Sequence, residues 1–546
     1  MLYVMPFLLS MVVTMAWIPL LGRFAPRWGI VDKPGARKVH AAPIPRVGGI
    51  AMTLGVLVAA FIVIPLAPAD RYFLAAIAVL TVFGMLDDRF DLDYRIKMTG
   101  QLLAVLIVVL AGDTQIHSFT LDERLMIPAW MTIPLTVFFL VGITNAVNLA
   151  DGLDGLAGGT TLLCLGALAM LAHGCGQVVS AALAMAFAGA VLGFLRFNTF
   201  PATVFMGDAG SQVLGFAVGV LSLRATQSGD SAVSAAIPIL LLAIPILDTL
   251  SVMVQRISEG RSPFSADKNH VHHKLLALGF DHHEAVMVIY AVQADLFLLA
   301  YWMRYESDVA ILGLVSTFFV VAIAILQGAT RRGWRFREPM NAQGQSLVTR
   351  TMAKLREPEY LPRWSYLAVA LAVAFYAALI LVEAGSVSPD VQILAMGLLA
   401  VSIVLLAVLR FKPLSILEKA ALYVTTAVLV YLDTVMLPDD RVFAVLNWVA
   451  VAVAALGTMV RLRLSPDRRF VLTPLDLIVL FVALVVPSLP GFFAMPNGGA
   501  SGIAKLVIFF YAIEVLVSRV EMGVVWLRIS VAGLLTVLVL RPLISP

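Results

Sequence analysis

The chain has 546 residues, 61% hydrophobic and only 13% charged, with 38 Lys and Arg against 34 Asp and Glu. Soluble domains are about 45–50% apolar and about 25% charged, so a chain of mean hydropathy +0.95 cannot coat itself for water and takes the bilayer as its solvent. The net charge of +4 reads as basic loops on one side of a membrane, and no nucleic-acid partner is expected.

Apolar runs long enough, or nearly so, to cross a ~30 Å core recur throughout. Backbone groups in lipid must be satisfied internally, so the runs are expected as helices and the fold class as an all-α polytopic membrane protein. The first run, 2–22, has no basic leader and no small-residue cleavage site and is read as a retained span. A basic loop rich in Pro and Gly follows, VDKPGARKVHAAPIPRVGG (31–49), with Arg37, Lys38, His40 and Arg46. It suits either a positive-inside anchor or a rigid grip on an anion. Runs 47–67 and 72–86 lead to GMLDDRFDLDYRIKMTGQ (84–101), where Asp87, Asp88, Asp91 and Asp93 alternate with Arg89, Arg95 and Lys97. Carboxylates this close repel unless a cation, a proton or a basic partner compensates; taken alone, a salt-bridged solvated loop is the plainer account.

Runs 99–112 and 132–149 lead to NAVNLADGLDGLAGG (145–159). On a helix Asn148, Asp151 and Asp154 follow at i, i+3 and i+6, so neighbours share a face, and polar groups at a membrane end usually have a task. No strand precedes these glycines, so they are no dinucleotide fingerprint. Runs 160–173 and 179–195 contain or approach the two cysteines, Cys164 and Cys175, neither in a ligand or catalytic pattern. Then comes RFNTFPATVFMGDAGSQ (196–212), where Asp208 and Ser211 suit a helix N-cap and the helix N-terminus suits phosphate. Runs 212–224 and 232–254 precede RSPFSADKNHVHHKLLALG (261–279), in which His270, His272 and His273 crowd beside Asp267, Lys268 and Lys274. This is not HExxH zinc spacing; imidazoles among basic residues suit a diphosphate or acid–base work.

Runs 286–303 and 309–327 complete eleven spans. Seven more follow a polar stretch: 364–383, 391–409, 420–436, 442–460, 471–487, 503–518 and 523–540. The expected organisation is a membrane core over 1–330, a basic cytoplasmic linker over 331–363 and a multi-span extension over 364–546. With loop 23–46 cytoplasmic, alternation puts 87–98, 150–159, 196–211, 255–285 and 328–363 on the same side. These loops hold 22 Lys and Arg, against four (Arg71, Arg124, Arg224 and Arg304) opposite, which is the positive-inside asymmetry. All five polar clusters fall on the basic side. Aspartates are hard oxygen ligands for Mg²⁺, and with basic residues they point to phosphoryl transfer at the membrane surface. Two rival classes remain. Asp248 and Asp295 lie within spans, as a transporter or lipid flippase would require, and the extension would suit an assembly subunit of a surface-polysaccharide machine.

The DD pair at 87–88, NAVNLADGLDGLAGG, FMGDAGS, HVHHKLL and PIPRVGG together resemble the polyprenyl-phosphate N-acetylhexosamine-1-phosphate transferases over residues 1–330. HVHH preceded by SPF is closer to the WecA-like branch than to the MraY-like one, and Ala266 replaces a frequent proline. The resemblance implies a UDP-sugar donor, with GlcNAc the favoured sugar, a polyprenyl phosphate acceptor and Mg²⁺, with Mn²⁺ as an alternative. It implies a bacterial inner-membrane location with the site on the cytoplasmic face, and leaves a homodimer open. Asp208 matches the Mg²⁺ ligand, and Asp87 and Asp88 the catalytic pair, with Asp88 also touching metal. Asn148, Asp151 and Asp154 match the stripe lining nucleotide and diphosphate, where Asp154 is taken as catalytic. Asn198 and Phe205 match positions near uridine. His270, His272 and His273 match the motif near the diphosphate, and Arg46 and Lys97 are substrate-binding. Nothing in 364–546 resembles that family.

Overall fold

The computed structural model describes residues 3–33, 42–120, 124–228, 231–262, 270–336, 360–383, 389–408, 416–435, 441–464, 474, 476–478, 481, 499–517 and 524–540. The chain divides into two compact units: Met1–Met340 with Thr473–Ile478, and Asn341–Leu472 with Val479–Pro546. Among the described residues ten helices are long and apolar enough to cross a membrane.

Every apolar run of the first unit is helical. The helices are α1 Val4–Trp28, α2 Gly48–Val63, α3 Pro68–Phe90, α4 Tyr94–Leu106, α5 Ala129–Ala150, α6 Leu156–Gly174, α7 Val178–Asn198, α8 Gly207–Gln227, α9 Ile237–Leu241, α10 Ala243–Ser258, α11 Val271–Ala277, α12 His282–Trp302 and α13 Asp308–Arg331. Two short antiparallel hairpins, β1 Val31–Asp32 with β2 Ile44–Pro45 and β3 Ser118–Thr120 with β4 Arg124–Met126, lie in stretches expected as loops.

The hub is α8, buried along nearly all its length. A helix apolar on every side seeks an interior, and small residues let neighbours close in. A Cβ at Gly84 of α3 would lie 2.9 Å from the Asp208 carbonyl carbon, and one at Gly49 of α2 2.7 Å from that of Ala209. Both helices therefore meet the start of α8 backbone to backbone. Phe73 packs on Phe187 and Phe216 deeper in this core.

The ninth run, expected as one span, is broken between α9 and α10. Pro245 has no N–H to offer the carbonyl of Leu241 four residues earlier. That carbonyl instead accepts from Gln293 Nε2 at 2.9 Å and Cys164 Sγ at 3.3 Å. Cys164 is thus a packing group that helps seal a helix break.

The second unit contains α14 Tyr360–Glu383, α15 Pro389–Val408, α16 Ile416–Val435, α17 Arg441–Leu464, α18 Gly499–Val517 and α19 Val524–Leu540. Its core includes Val369, Leu429, Phe509 and Ile513. Inside it Asp433 accepts from Tyr376 Oη at 2.8 Å, Asn447 Nδ2 at 2.9 Å and Lys505 Nζ at 2.7 Å. Of the expected linker, 337–359 lie outside the described residues and 360–363 already belong to α14; most of the run 471–487 also lies outside them.

Candidate active site

The polar residues gather where helices end. α3 delivers Asp87 and Asp88 in its last turn, α5 delivers Asn148 in its last turn, and α8 opens with Gly207 and Asp208. Asp88 is buried, and its two oxygens accept the backbone N–H of Asp208 at 3.0 Å and of Ala209 at 3.2 Å. Arg46 bridges it at 3.7 Å and also pairs with Asp32. Asp88 is therefore the cap of α8, supplied from another helix. The helix N-terminus expected to take phosphate already holds this carboxylate.

Asp87 accepts from Leu92 N at 2.8 Å and pairs with Lys97 Nζ at 2.6 Å. Its carboxyl also lies within hydrogen-bonding reach of Asp208. Asn148 Nδ2 donates to Asp208 Oδ1 and to Ser211 Oγ, both at 2.7 Å. Behind it Asn145 Nδ2 donates to Gln101 Oε1 at 2.7 Å, and Gln101 donates to Gln212 at 3.2 Å. This amide layer, which sequence reasoning did not single out, ties α4, α5 and α8 beneath the carboxylates. Its signal was three polar side chains at helix-interior positions in apolar runs.

Asp151 follows the end of α5 and reaches solvent. Enclosure by surrounding protein, then the carboxylates of Asp208, Asp154 and Asp88, raise its carboxyl to about 7. Asp154 Oδ2 accepts from Ala202 N at 2.9 Å, so it also braces the loop before α8. Asn198, expected beside uridine, is buried. Its Oδ1 accepts from Gly155 N and its Nδ2 donates to the Val204 carbonyl, both at 2.9 Å. Each end of the amide holds a backbone group, so Asn198 ties the turn before α6 to the loop before α8. Phe205 is half-buried, with its backbone clamped between Pro45 and Gly48.

The histidines form a second half of the site. His270 caps α11 and its Nδ1 lies 2.7 Å from Asp248 Oδ2. Its ring lies 5.7 Å from that of His272, which lies 4.3 Å from that of His273. His272 rests against Gly152, where any Cβ would strike its ring. Burial first, and the neighbouring imidazoles second, push His272 down to about 4. His282, not foreseen from the sequence, accepts the Asp154 N–H on Nε2 at 3.0 Å and stacks on Phe200 at 4.6 Å. The loop 151–155 joins the two halves. Arg37, Lys38, His40, Asp267 and Lys268 lie outside the described residues.

The model of glycosyl transferase family 4 matches residues 71–226, the stretch from α3 through α8. A Bacillus subtilis protein named a probable undecaprenyl-phosphate N-acetylglucosaminyl 1-phosphate transferase is 38% identical over 295 residues, covering 53% of this chain and 81% of that protein. The undecaprenyl-phosphate alpha-N-acetylglucosaminyl 1-phosphate transferase of Escherichia coli K12 is 32% identical over 322 residues, covering 57% and 87%. The decaprenyl-phosphate N-acetylglucosaminephosphotransferase of Mycobacterium leprae is 36% identical over 308 residues, covering 50% and 76%. The chain belongs to this family of polyprenyl-phosphate N-acetylhexosamine-1-phosphate transferases.

The transferase brings the carboxylates of Asp87, Asp88, Asp151, Asp154 and Asp208 into one electrostatic neighbourhood, with Arg46 and Lys97 as cationic partners. Asp87 and Asp208 lie within hydrogen-bonding reach of each other, with Lys97 on Asp87 as the near cation. Such a donor set, all hard oxygens and short of positive charge, fits Mg²⁺. Asp248, whose place within a span suggested a transporter, is instead hydrogen-bonded locally to the His270 ring and the Val271 N–H. Asp295 lies on the exposed face of α12. Asp281, His283 and Glu284 also converge, but Asp281 and Glu284 are the capping box of α12.

Proposed function

We propose that the transferase moves GlcNAc-1-phosphate from UDP-GlcNAc to undecaprenyl or another polyprenyl phosphate. It releases UMP and leaves a polyprenyl-diphospho-sugar that starts a cell-envelope glycan. The observation that carries this reading is the contact of Asp87 with Asp208 at the start of α8, backed by Asn148 and flanked by Lys97 and Arg46. Asp208, with Asp87 beside it, would hold Mg²⁺, Mn²⁺ being an alternative. Bound there, the cation supplies charge neutralisation at the donor diphosphate.

The chain's own groups do the rest. Asn148 orients Asp208. Lys97 and Arg46 offset the carboxylates that hold the metal and attract the acceptor phosphate. Asp87 takes a proton from the lipid phosphate where it arrives protonated, and that phosphate attacks the β-phosphorus in line, with UMP as the leaving group. A two-step route through an aspartyl phosphate would leave trapped covalent phosphate; a single displacement leaves none. The basic-loop asymmetry supports a cytoplasmic-face site in a bacterial inner membrane. A homodimer is compatible with this reading.

The test is UMP release by membranes containing only this protein, supplied with polyprenyl phosphate and a panel of UDP-sugars. The expected result is lipid-dependent release with UDP-GlcNAc preferred. Lipid-dependent release from no UDP-HexNAc would overturn the reading.

A further inference from the structure

The loop between α5 and α6 carries two of the five clustered carboxylates, Asp151 and Asp154, and α12 grips its backbone twice. His282 opens α12, and its Nε2 accepts the Asp154 N–H at 3.0 Å. About two turns further along the same helix, Tyr290 Oη donates to the Gly155 carbonyl at 2.5 Å. The Gly155 N–H goes to Asn198 of α7 at 2.9 Å. Neighbouring backbone groups of one turn are thus held by side chains from other helices. The Asp154 carboxylate holds Ala202 N at 2.9 Å in its turn. The His282 ring stacks on Phe200 with centroids 4.6 Å apart and planes 24° from parallel. His282 therefore meets both loops that lead into the carboxylate cluster: the 151–155 loop through a nitrogen, and the loop before α8 through its ring face. An imidazole nitrogen accepts only while unprotonated, so Nε2 presents its lone pair to the Asp154 N–H and Nδ1 carries the proton.

Resting on the transfer reaction proposed above, we infer that His282 is a positioning residue for Asp154. Its Nε2 pins the Asp154 amide. That fixes the point from which the Asp154 side chain reaches Ala202 and adds its negative charge to that of Asp208 at Asp151. The acceptor nitrogen carries the role, and the stack on Phe200 is packing. Without the acceptor, the Asp154 N–H loses its protein partner and the carboxylate loses its fixed base beside the cluster.

Two substitutions separate acceptor from ring. His282→Gln keeps an acceptor oxygen at about the reach of Nε2 and removes the ring; His282→Phe keeps a ring on Phe200 and removes the acceptor. Misplacement on the order of 1 Å costs about 100-fold in rate, so His282→Phe should lower kcat for UMP release about 100-fold while KM for UDP-GlcNAc stays within about threefold. His282→Gln should retain kcat within about threefold of wild type. The opposite order, an equal loss in both, or wild-type kcat in His282→Phe overturns the inference. Should the Phe protein fail to accumulate, His282→Leu takes its place with the same expectation. A second arm needs no turnover. Hydrogen–deuterium exchange of the full chain in detergent, read on peptides covering 151–156, should speed up about threefold to tenfold at the Asp154 amide in His282→Phe and stay at the wild-type rate in His282→Gln. Unchanged exchange in His282→Phe overturns the inference even where wild type shows no transferase activity.

Discussion

Gly207 is the smallest place at which the proposed chemistry can be broken. It opens α8 with φ +70°, where a side chain costs roughly 1–2 kcal/mol. A Cβ there would lie 2.8 Å from the Asp88 carboxyl carbon, against an ordinary contact of at least 3.4 Å, so Asp88 must retreat by about 0.6 Å or more. Its bonds to Asp208 N and Ala209 N are already 3.0 and 3.2 Å long, and that retreat takes both out of range. Hydrogen bonds to a charged group are worth about 1.5–3 kcal/mol each. The amides that lose them belong to the proposed metal ligand and its neighbour, so the loss is transmitted to Asp208. Misplacement on the order of 1 Å costs about 100-fold in rate. Gly207→Ala should therefore reach the membrane yet release UMP about 100-fold more slowly, measured as kcat in detergent with saturating lipid and donor. Turnover within threefold of wild type would refute the coupling of Asp88 to Asp208 through α8.

Asp208→Asn should abolish nearly all turnover without loss of protein from the membrane, and chelation of divalent cations should do the same to wild type, with Mg²⁺ restoring it. Asn148→Ala removes the donor to Asp208 and should raise the Mg²⁺ concentration for half-maximal activity about 10–100-fold; an unchanged requirement would contradict that role. In the metal-free protein Asp151 is protonated below about 7 and ionised above it. Mg²⁺ affinity, read by calorimetry, should therefore rise with pH through that value, and Asp151→Asn should flatten the rise. Lys505→Met leaves Asp433 buried without its ammonium partner, a loss of about 3–5 kcal/mol for a broken buried pair, visible as a lowered Tm.

The elements were readable because lipid imposes one answer on a long apolar run. Ten of the eleven runs of the first unit are each one helix, and α8, short on hydropathy as 212–224, is the hub because its glycines and alanines let others approach. The exception, 232–254, broke where Pro245 stripped an acceptor of its donor, and only Gln293, 48 residues on in the sequence, reveals how the break is sealed. Candidate site residues were legible too, since Asp208, Asn148 and His270 are polar groups stranded at the ends of apolar segments.

Pairing was not legible. Sequence spacing puts Asp87 beside Asp88, yet one faces Lys97 and Asp208 while the other caps α8. It gave no sign that the Asn198 amide ties Gly155 to Val204. It gave no reason to join Asp248 to His270 or His282 to Asp154. The sequence by itself determined the solvent and the helices, because those follow from local hydropathy. The tertiary structure alone decided which carboxylate meets which partner, because a hydrogen bond depends on groups brought within about 3 Å, and helix packing, not sequence distance, chooses them.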